Sequence, residues 1–215
     1  MMFVDTHEKY TPQSLDEFVF SNDETRELTT AYASGHLNRP LILHGVSGGG
    51  KSLLQKLIPN AIEGRKAVVT NVKCADLKTA DDIHNLYGRN KNFNRLFKCD
   101  GQKFNYIIIE EFLMTSAKLV DAMKYELDNT LGTDLTIIST NRYEKIDYGI
   151  VSRSETLELH PCEPHVFFSH AKKMFKLEEV EIDDGHLLRC LEVTNLKGAD
   201  NRKYYSAIDA LFRKI

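Results

Sequence analysis

No apolar stretch in the 215 residues approaches the roughly 18 residues that a membrane helix requires. The opening MMFVDTHEKY also lacks the apolar centre of a secretory signal, so a cytosolic protein without membrane contact is the expectation. Cysteine is scarce. Cys74, Cys99, Cys162 and Cys190 stand far apart and form no CxxC pair, which argues against a zinc knuckle or a disulfide framework and for reduced thiols. An excess of one charge is missing as well, with 28 Lys and Arg against 31 Asp and Glu for a net charge of -3. No global positive field then draws in a nucleic acid, and any such contact is local. Internal repeats and low-complexity runs are absent.

What remains is an ordinary soluble composition, 42% hydrophobic and 27% charged, long enough for one medium domain or a medium domain with a small appendage. Short apolar runs at 41–43, 67–69, 106–109, 135–138 and 156–159 are each too short for a helix and read as strands, the continuous ones covered on both faces. Between them, 52–62 and 117–127 carry apolar residues at three- and four-residue spacing, which predicts amphipathic helices. Parallel strands with crossover helices, an α/β fold, follow. After Pro161 the pattern changes to helix alone, with candidates at 164–175, at 184–192 behind Asp183 as N-cap, and at 200–213. The expected division is an α/β domain at 1–160 and a helical domain at 161–215 that leans on it.

The strongest chemical signal is Gly45-Val46-Ser47-Gly48-Gly49-Gly50-Lys51-Ser52, which satisfies GxxxxGK[ST] directly after a strand and before a helix. Glycines allow successive backbone N–H groups to turn inward on phosphate oxygens, and the following helix adds the positive end of its dipole. Lys51 is placed to reach the β- and γ-phosphates and Ser52 to ligate Mg²⁺, so the motif marks a nucleoside triphosphate site. A second signal is Tyr106-Ile107-Ile108-Ile109-Glu110-Glu111, an apolar strand that delivers two carboxylates at the end where parallel sheets bind ligands. Glu110 is assigned to the Mg²⁺ shell, one methylene longer than the usual Asp, and Glu111 to accepting hydrogen bonds from an attacking water. A third strand end, Ser139-Thr140-Asn141, puts Asn141 where it can sit beside a γ-phosphate, although an asparagine there is also an ordinary turn residue. Read singly, Arg153 and Arg202 are solvated arginines.

In order and spacing these motifs resemble the small subunits of sliding-clamp loaders, of the replication factor C and phage types, within the AAA+ ATPases. The run Glu8-Lys9-Tyr10-Thr11-Pro12-Gln13-Ser14-Leu15-Asp16-Glu17 resembles the family's opening EKYRPxTLDE, and Gly198-Ala199-Asp200-Asn201-Arg202-Lys203 resembles its GDxRK turn. The resemblance implies a P-loop core with a five-stranded parallel sheet and a helical lid, with ATP and Mg²⁺ as cofactors. It also implies that Tyr10 and Pro12 pack beside the adenine, that Asn141 is the sensor-1 residue and Arg202 the sensor-2 arginine, and that Arg153 is an arginine finger acting on a neighbouring subunit. Homo- or hetero-oligomers with other AAA+ subunits, a sliding clamp or replicative helicase, and primed or double-stranded DNA are the implied partners. The sequence departs from the family at Thr11, Ser154 and Glu110. It stops at Ile215 where relatives continue into a collar, which fits either a truncated chain or assembly through the ATPase domains and a partner. Its compact size fits a viral or mobile-element source.

Blander assignments cover the rest. Lys118 and Lys124 share the helix after the acidic strand, where they serve as a solvated face or track a DNA backbone. His160, His165, His170 and His186 lack metal-type spacing and read as surface histidines, while Phe167-Phe168 and Tyr204-Tyr205 read as core of the lid helices. The expected function is an ATP-hydrolysing subunit of an oligomeric replication assembly that forms on DNA when ATP is bound. A P-loop nucleotide or small-molecule kinase and a weakly hydrolysing, ATP-gated adaptor of the helicase-loader kind are the alternatives.

Overall fold

In the computed structural model, which describes residues 5–96, 101–198 and 200–213, the chain starts with the short helix α1 (Thr6–Tyr10), capped by the Asp5 side chain. Helix α2 (Asp23–Ala33) follows, its first turn satisfied by Asn22, whose Oδ1 accepts from the Thr25 N–H at 2.8 Å. Next come β1 (Leu41–His44), α3 (Lys51–Glu63), β2 (Val69–Lys73), α4 (Ala80–Leu96), β3 (Asn105–Glu110), α5 (Ala117–Asn129) and β4 (Asp134–Thr140). The one-turn α6 (Tyr148–Val151) leads into β5 (Glu155–Glu158), and α7 (Pro164–Leu177), α8 (Asp184–Leu196) and α9 (Asn201–Phe212) finish the described chain.

The five strands form one parallel sheet, as expected, and its strand order is β2-β3-β4-β1-β5. Side-chain alternation splits its core into two faces. Leu41, Leu43, Tyr106, Leu135 and Ile137 pack with Leu54 and Ile58 of α3 and Tyr32 of α2, whereas Ile42, Ile107, Ile109 and Ile138 pack with Ile83 and Tyr87 of α4 and Met123 of α5. Burial on both faces explains why β1, β3 and β4 read as unbroken apolar runs. At the edge, the strand expected at 67–69 begins two residues later. The Ala67 N–H donates to Asn60 Oδ1 and the Val68 N–H to Gln102 Oε1, so neither joins the ladder, and Val68 is half-exposed.

The three last helices form a separate core around Phe167, Met174, Phe175, Leu187, Leu191, Tyr204 and Ile208. Asp183 caps α8 as expected, its carboxylate accepting from the His186 N–H at 2.8 Å. Helix α1 lies against α9 rather than the sheet. The Thr6 N–H donates to Asp209 Oδ1 at 3.0 Å and its hydroxyl to the Tyr205 carbonyl at 3.2 Å. Cys162 ties the linker to both sides, its N–H donating to Asn201 Oδ1 and its thiol to the Val19 carbonyl. Among the described residues no helix is long and apolar enough to cross a membrane. Cys99, Ala199 and Ile215 lie outside the described residues.

Candidate functional site

The glycine loop leaves the C-terminal end of β1 and is laid against the end of β5. Gly45 has φ +119, and a Cβ there would stand 2.3 Å from the Leu159 carbonyl oxygen; at Gly49 the corresponding distance is 2.8 Å. No side chain fits between loop and strand end, so the glycines permit an approach that other residues forbid. Lys51, the first residue of α3, is nearly buried and folds back over the loop, donating to the carbonyls of Gly45 at 2.7 Å and Val46 at 2.6 Å. Burial, and secondarily the charge of Arg202, push its ammonium below the ordinary lysine range.

Arg202 reaches this loop from the lid. Its Nη2 donates to Ser47 Oγ at 2.8 Å while Nε and Nη2 hold the Asp200 carboxylate at 3.1 and 2.9 Å. The Asn201 N–H points at the Gly48 carbonyl at 3.4 Å. Burial alone would raise the Asp200 carboxyl, but the bonds from Arg202 outweigh it and hold the group below the usual carboxylate range.

Across the cavity stand the strand ends. Glu111 adopts φ +55, an uncommon conformation for a residue with a side chain, and the segment after it is pinned to β4: the Phe112 N–H donates to the Ser139 carbonyl at 2.8 Å and Thr140 Oγ1 to the Phe112 carbonyl at 2.9 Å. This tie sets Glu111 and Asn141 in the lining of the same cavity as Ser47, Gly48, Gly50, Lys51, Ser52 and Arg202. The cavity has a volume of about 530 Å³, within the range of small-molecule sites.

Not every predicted residue meets there. Glu110 turns to β2 and accepts from Asn71 Nδ2 at 3.2 Å, and it is not part of the lining. Pro12 lines the cavity but Tyr10 does not: its hydroxyl donates to Glu178, and burial followed by that carboxylate raises its pKa. Gly45 and Gly49 shape the loop from its far side, against Leu159. Arg153 is remote, forked onto Asp128 at 2.7 and 2.9 Å with Nη1 on the Gly149 carbonyl at 2.8 Å; Asp128 keeps it strongly protonated. Lys124 is paired with Asp121 at 2.9 Å and lies 3.7 Å from Asp147, while Lys118 is exposed.

Sequence reasoning missed His7, Phe18, Val19 and Lys56, which complete the wall, and it gave Phe167 and Tyr205 to the lid core alone. Both are buried in that core and also border the cavity. His170, read as a surface residue, is half-buried with Nε2 3.0 Å from the Tyr205 hydroxyl. Of these only Phe18, one residue past the Leu15-Asp16-Glu17 of the opening motif, had a signal that could have found it; the others depend on how the lid folds back.

No family model matches the chain. It is 24% identical over 206 residues to a replication factor C small subunit of Picrophilus torridus, an alignment that covers 95% of this chain and 63% of that protein, so the chain spans less than two thirds of this relative. Among solved structures, two mutants of Thermotoga maritima RuvB superpose with TM-scores of 0.69 and 0.70 at 17% and 16% identity, each covering 94% of this chain and 66% and 65% of theirs. A further Thermotoga maritima structure, titled as the RuvB Holliday junction branch migration motor, gives a TM-score of 0.59 at 16% identity over 93% of this chain and 72% of that one. These structural likenesses bear on the fold, and the sequence alignment bears on the kind of subunit. Taken with the phosphate loop and the five-stranded sheet, they give the chain the fold of the RuvB structures and a sequence similar to that of a replication factor C small subunit, in line with the AAA+ clamp-loader resemblance.

Proposed function

We propose that the chain is an ATP-binding and ATP-hydrolysing subunit of an oligomeric assembly that works on DNA. The observation that carries this reading is the meeting of Lys51, Ser52, Glu111, Asn141 and Arg202 around one cavity, from four separate parts of the chain. The residues fit ATP and Mg²⁺. Two cations and a hydroxyl sit at a glycine loop whose close seat on Leu159 any Cβ at Gly45 or Gly49 would break, and apolar groups of Pro12, Val19 and Phe167 line the same cavity. When bound, Mg²⁺ would neutralise phosphate charge, with Ser52 of the cavity lining to hold it and Glu110 able to join only by leaving Asn71.

In this reading Lys51 exchanges the loop carbonyls for phosphate oxygens, a trade a flexible ammonium makes readily. Glu111 accepts a proton-side hydrogen bond from the attacking water and Asn141 helps to orient it. Arg202 contacts the nucleotide of its own chain. Pro12 lies beside the base, and Tyr10 supports that wall indirectly through its bond to Glu178 on the lid. Arg153, half-buried and outside the cavity lining, completes a neighbour's site. The 1–160 core and the 161–215 lid then act as two bodies with nucleotide between them. Other AAA+ subunits are the proposed partners, with primed or double-stranded DNA and a sliding clamp or replicative helicase; the name of the replication factor C relative and the branch-migration title of the RuvB structure support DNA as the arena.

Calorimetry on the wild type and Lys51→Ala tests the binding half: tight ATP binding that the variant loses supports the proposal, and equal affinity in both defeats it. ATPase rate against protein concentration, with and without primed DNA, tests the assembly half. A specific activity that rises with concentration and with DNA is expected; a flat profile with a small-molecule phosphate acceptor would favour a kinase.

A further inference from the structure

The Asp200 carboxylate stands where no acid is needed to bind a phosphate. A Cβ built at Gly48 would lie 2.1 Å from Asp200 Oδ1, 2.3 Å from its Cγ and 2.8 Å from Oδ2, so the carboxylate fills the space that a side chain at position 48 would take. It is largely buried, with its side chain 17% exposed. Its polar partners are the Arg202 backbone N–H at 2.9 Å, Arg202 Nε at 3.1 Å and Arg202 Nη2 at 2.9 Å. The neighbouring Lys203 makes no hydrogen bond to it, since Nζ is held by the carbonyls of Lys197 and Gly198, each at 3.1 Å, and acts on it through charge alone. The same Nη2 of Arg202 that holds Asp200 also holds Ser47, so acid, arginine and phosphate loop form one clasp.

An anion on that loop finds two obstacles. The carboxylate repels it at contact range, and the arginine best placed to greet it is already satisfied by a bidentate partner. We infer that Asp200 is an internal competitor for the nucleotide's phosphates: it clasps Arg202 to the loop, and a polyphosphate binds by taking Arg202 from it. The inference rests on the nucleotide reading above and adds a residue that sets how strongly, and how selectively by charge, the site binds. Asp200 thereby makes the site stringent, because a ligand with little negative charge cannot displace the carboxylate from the arginine.

A purely structural role, capping α9 through the Arg202 N–H, makes the opposite forecast, because asparagine and serine cap helices as well as aspartate does. The experiment measures binding of ATP, ADP and adenosine to the wild type, Asp200→Asn and Asp200→Ser by calorimetry, with thermal melting of each protein alongside. Expected is ATP binding about tenfold tighter in the neutral variants, a smaller gain for ADP, none for adenosine, and melting close to the wild type. The serine variant keeps the test alive if the asparagine variant folds poorly. Equal or weaker ATP affinity in a folded neutral variant overturns the competitor role while leaving the nucleotide reading intact. Wild-type protein that binds no ATP through Lys51 overturns that reading itself, and this inference with it.

Discussion

Gly45 and Gly64 both have positive φ, +119 and +64, yet substituting each by alanine should cost very different amounts. At Gly64, the left-handed residue that ends α3, an added Cβ meets nothing within 4 Å, so only backbone strain is paid. That strain is about 1 kcal/mol. At Gly45 the conformation is less accessible to a side chain, worth roughly 1–3 kcal/mol, and the new Cβ would sit 2.3 Å from the Leu159 carbonyl oxygen and 3.2 Å from its carbon. The obstacle is backbone, which has no rotamer to move, so the strand end must shift at a further cost of about 1–3 kcal/mol. Gly45→Ala should therefore lose about 4 kcal/mol against about 1 for Gly64→Ala. For a chain of this size these losses correspond to melting shifts of about 8–16 °C and about 2–4 °C. Urea unfolding of the two variants and the wild type in parallel gives the comparison directly. Equal losses would refute the reasoning, since they would show that the loop does not press on Leu159.

Glu111→Gln should bind ATP with near wild-type affinity yet hydrolyse it at a rate reduced about 100-fold or more, read in single-turnover assays; full turnover there with loss confined to Glu110→Gln would reverse the assignment of the two acids. Mixing Arg153→Ala with Lys51→Ala should restore part of the ATPase that each lacks alone, because the Lys51 variant can still lend its arginine; no recovery at any ratio would contradict action between subunits. Leu54→Ala, at a fully buried position of α3, should destabilise by about 3–5 kcal/mol in chemical denaturation, and a loss below about 1 would mean that the α3 face of the core is loosely packed. Burial holds His170 and His44 below the ordinary histidine range, so the unfolded chain takes up those protons first. Their contribution to stability is complete above about pH 6.5 and is lost as the pH falls through their folded values, which His170→Gln should partly flatten in melting curves; an unchanged slope would count against it.

The central strands were legible because burial on both faces leaves a continuous apolar run, and the phosphate loop because its chemistry fixes both glycines and lysine in a short span. Helix α4 was not, since ADDIHNLYGRNKNFNRL carries a glycine and four asparagines that obscure its apolar stripe. Half-exposed β2 shifted for a related reason, its apparent first residues being held by side chains of Asn60 and Gln102 instead of a strand. Within the site, the residues of contiguous motifs were found and those contributed by folding were not. Phe167 and Tyr205 look like core in sequence because they are core; that one edge of each also borders the cavity depends on the angle between lid and sheet. The orientation of Glu110 toward Asn71 is likewise invisible in a linear pattern, because the partner lies on a strand 39 residues away.

The docking of α1 on α9 has a mechanical consequence. A lid joined to its core by one linker can swivel freely about that point. Here the segment from 160 to 163 makes one connection, and the segment from 11 to 17 makes a second, since the helix before it travels with the lid through Thr6 and Asp209 while Phe18 is held under Gly50 of the loop. Pro12, within the second connection, and Val19, just past it, both line the cavity, so the last three helices are joined to the rest of the chain beside the site at two places instead of one.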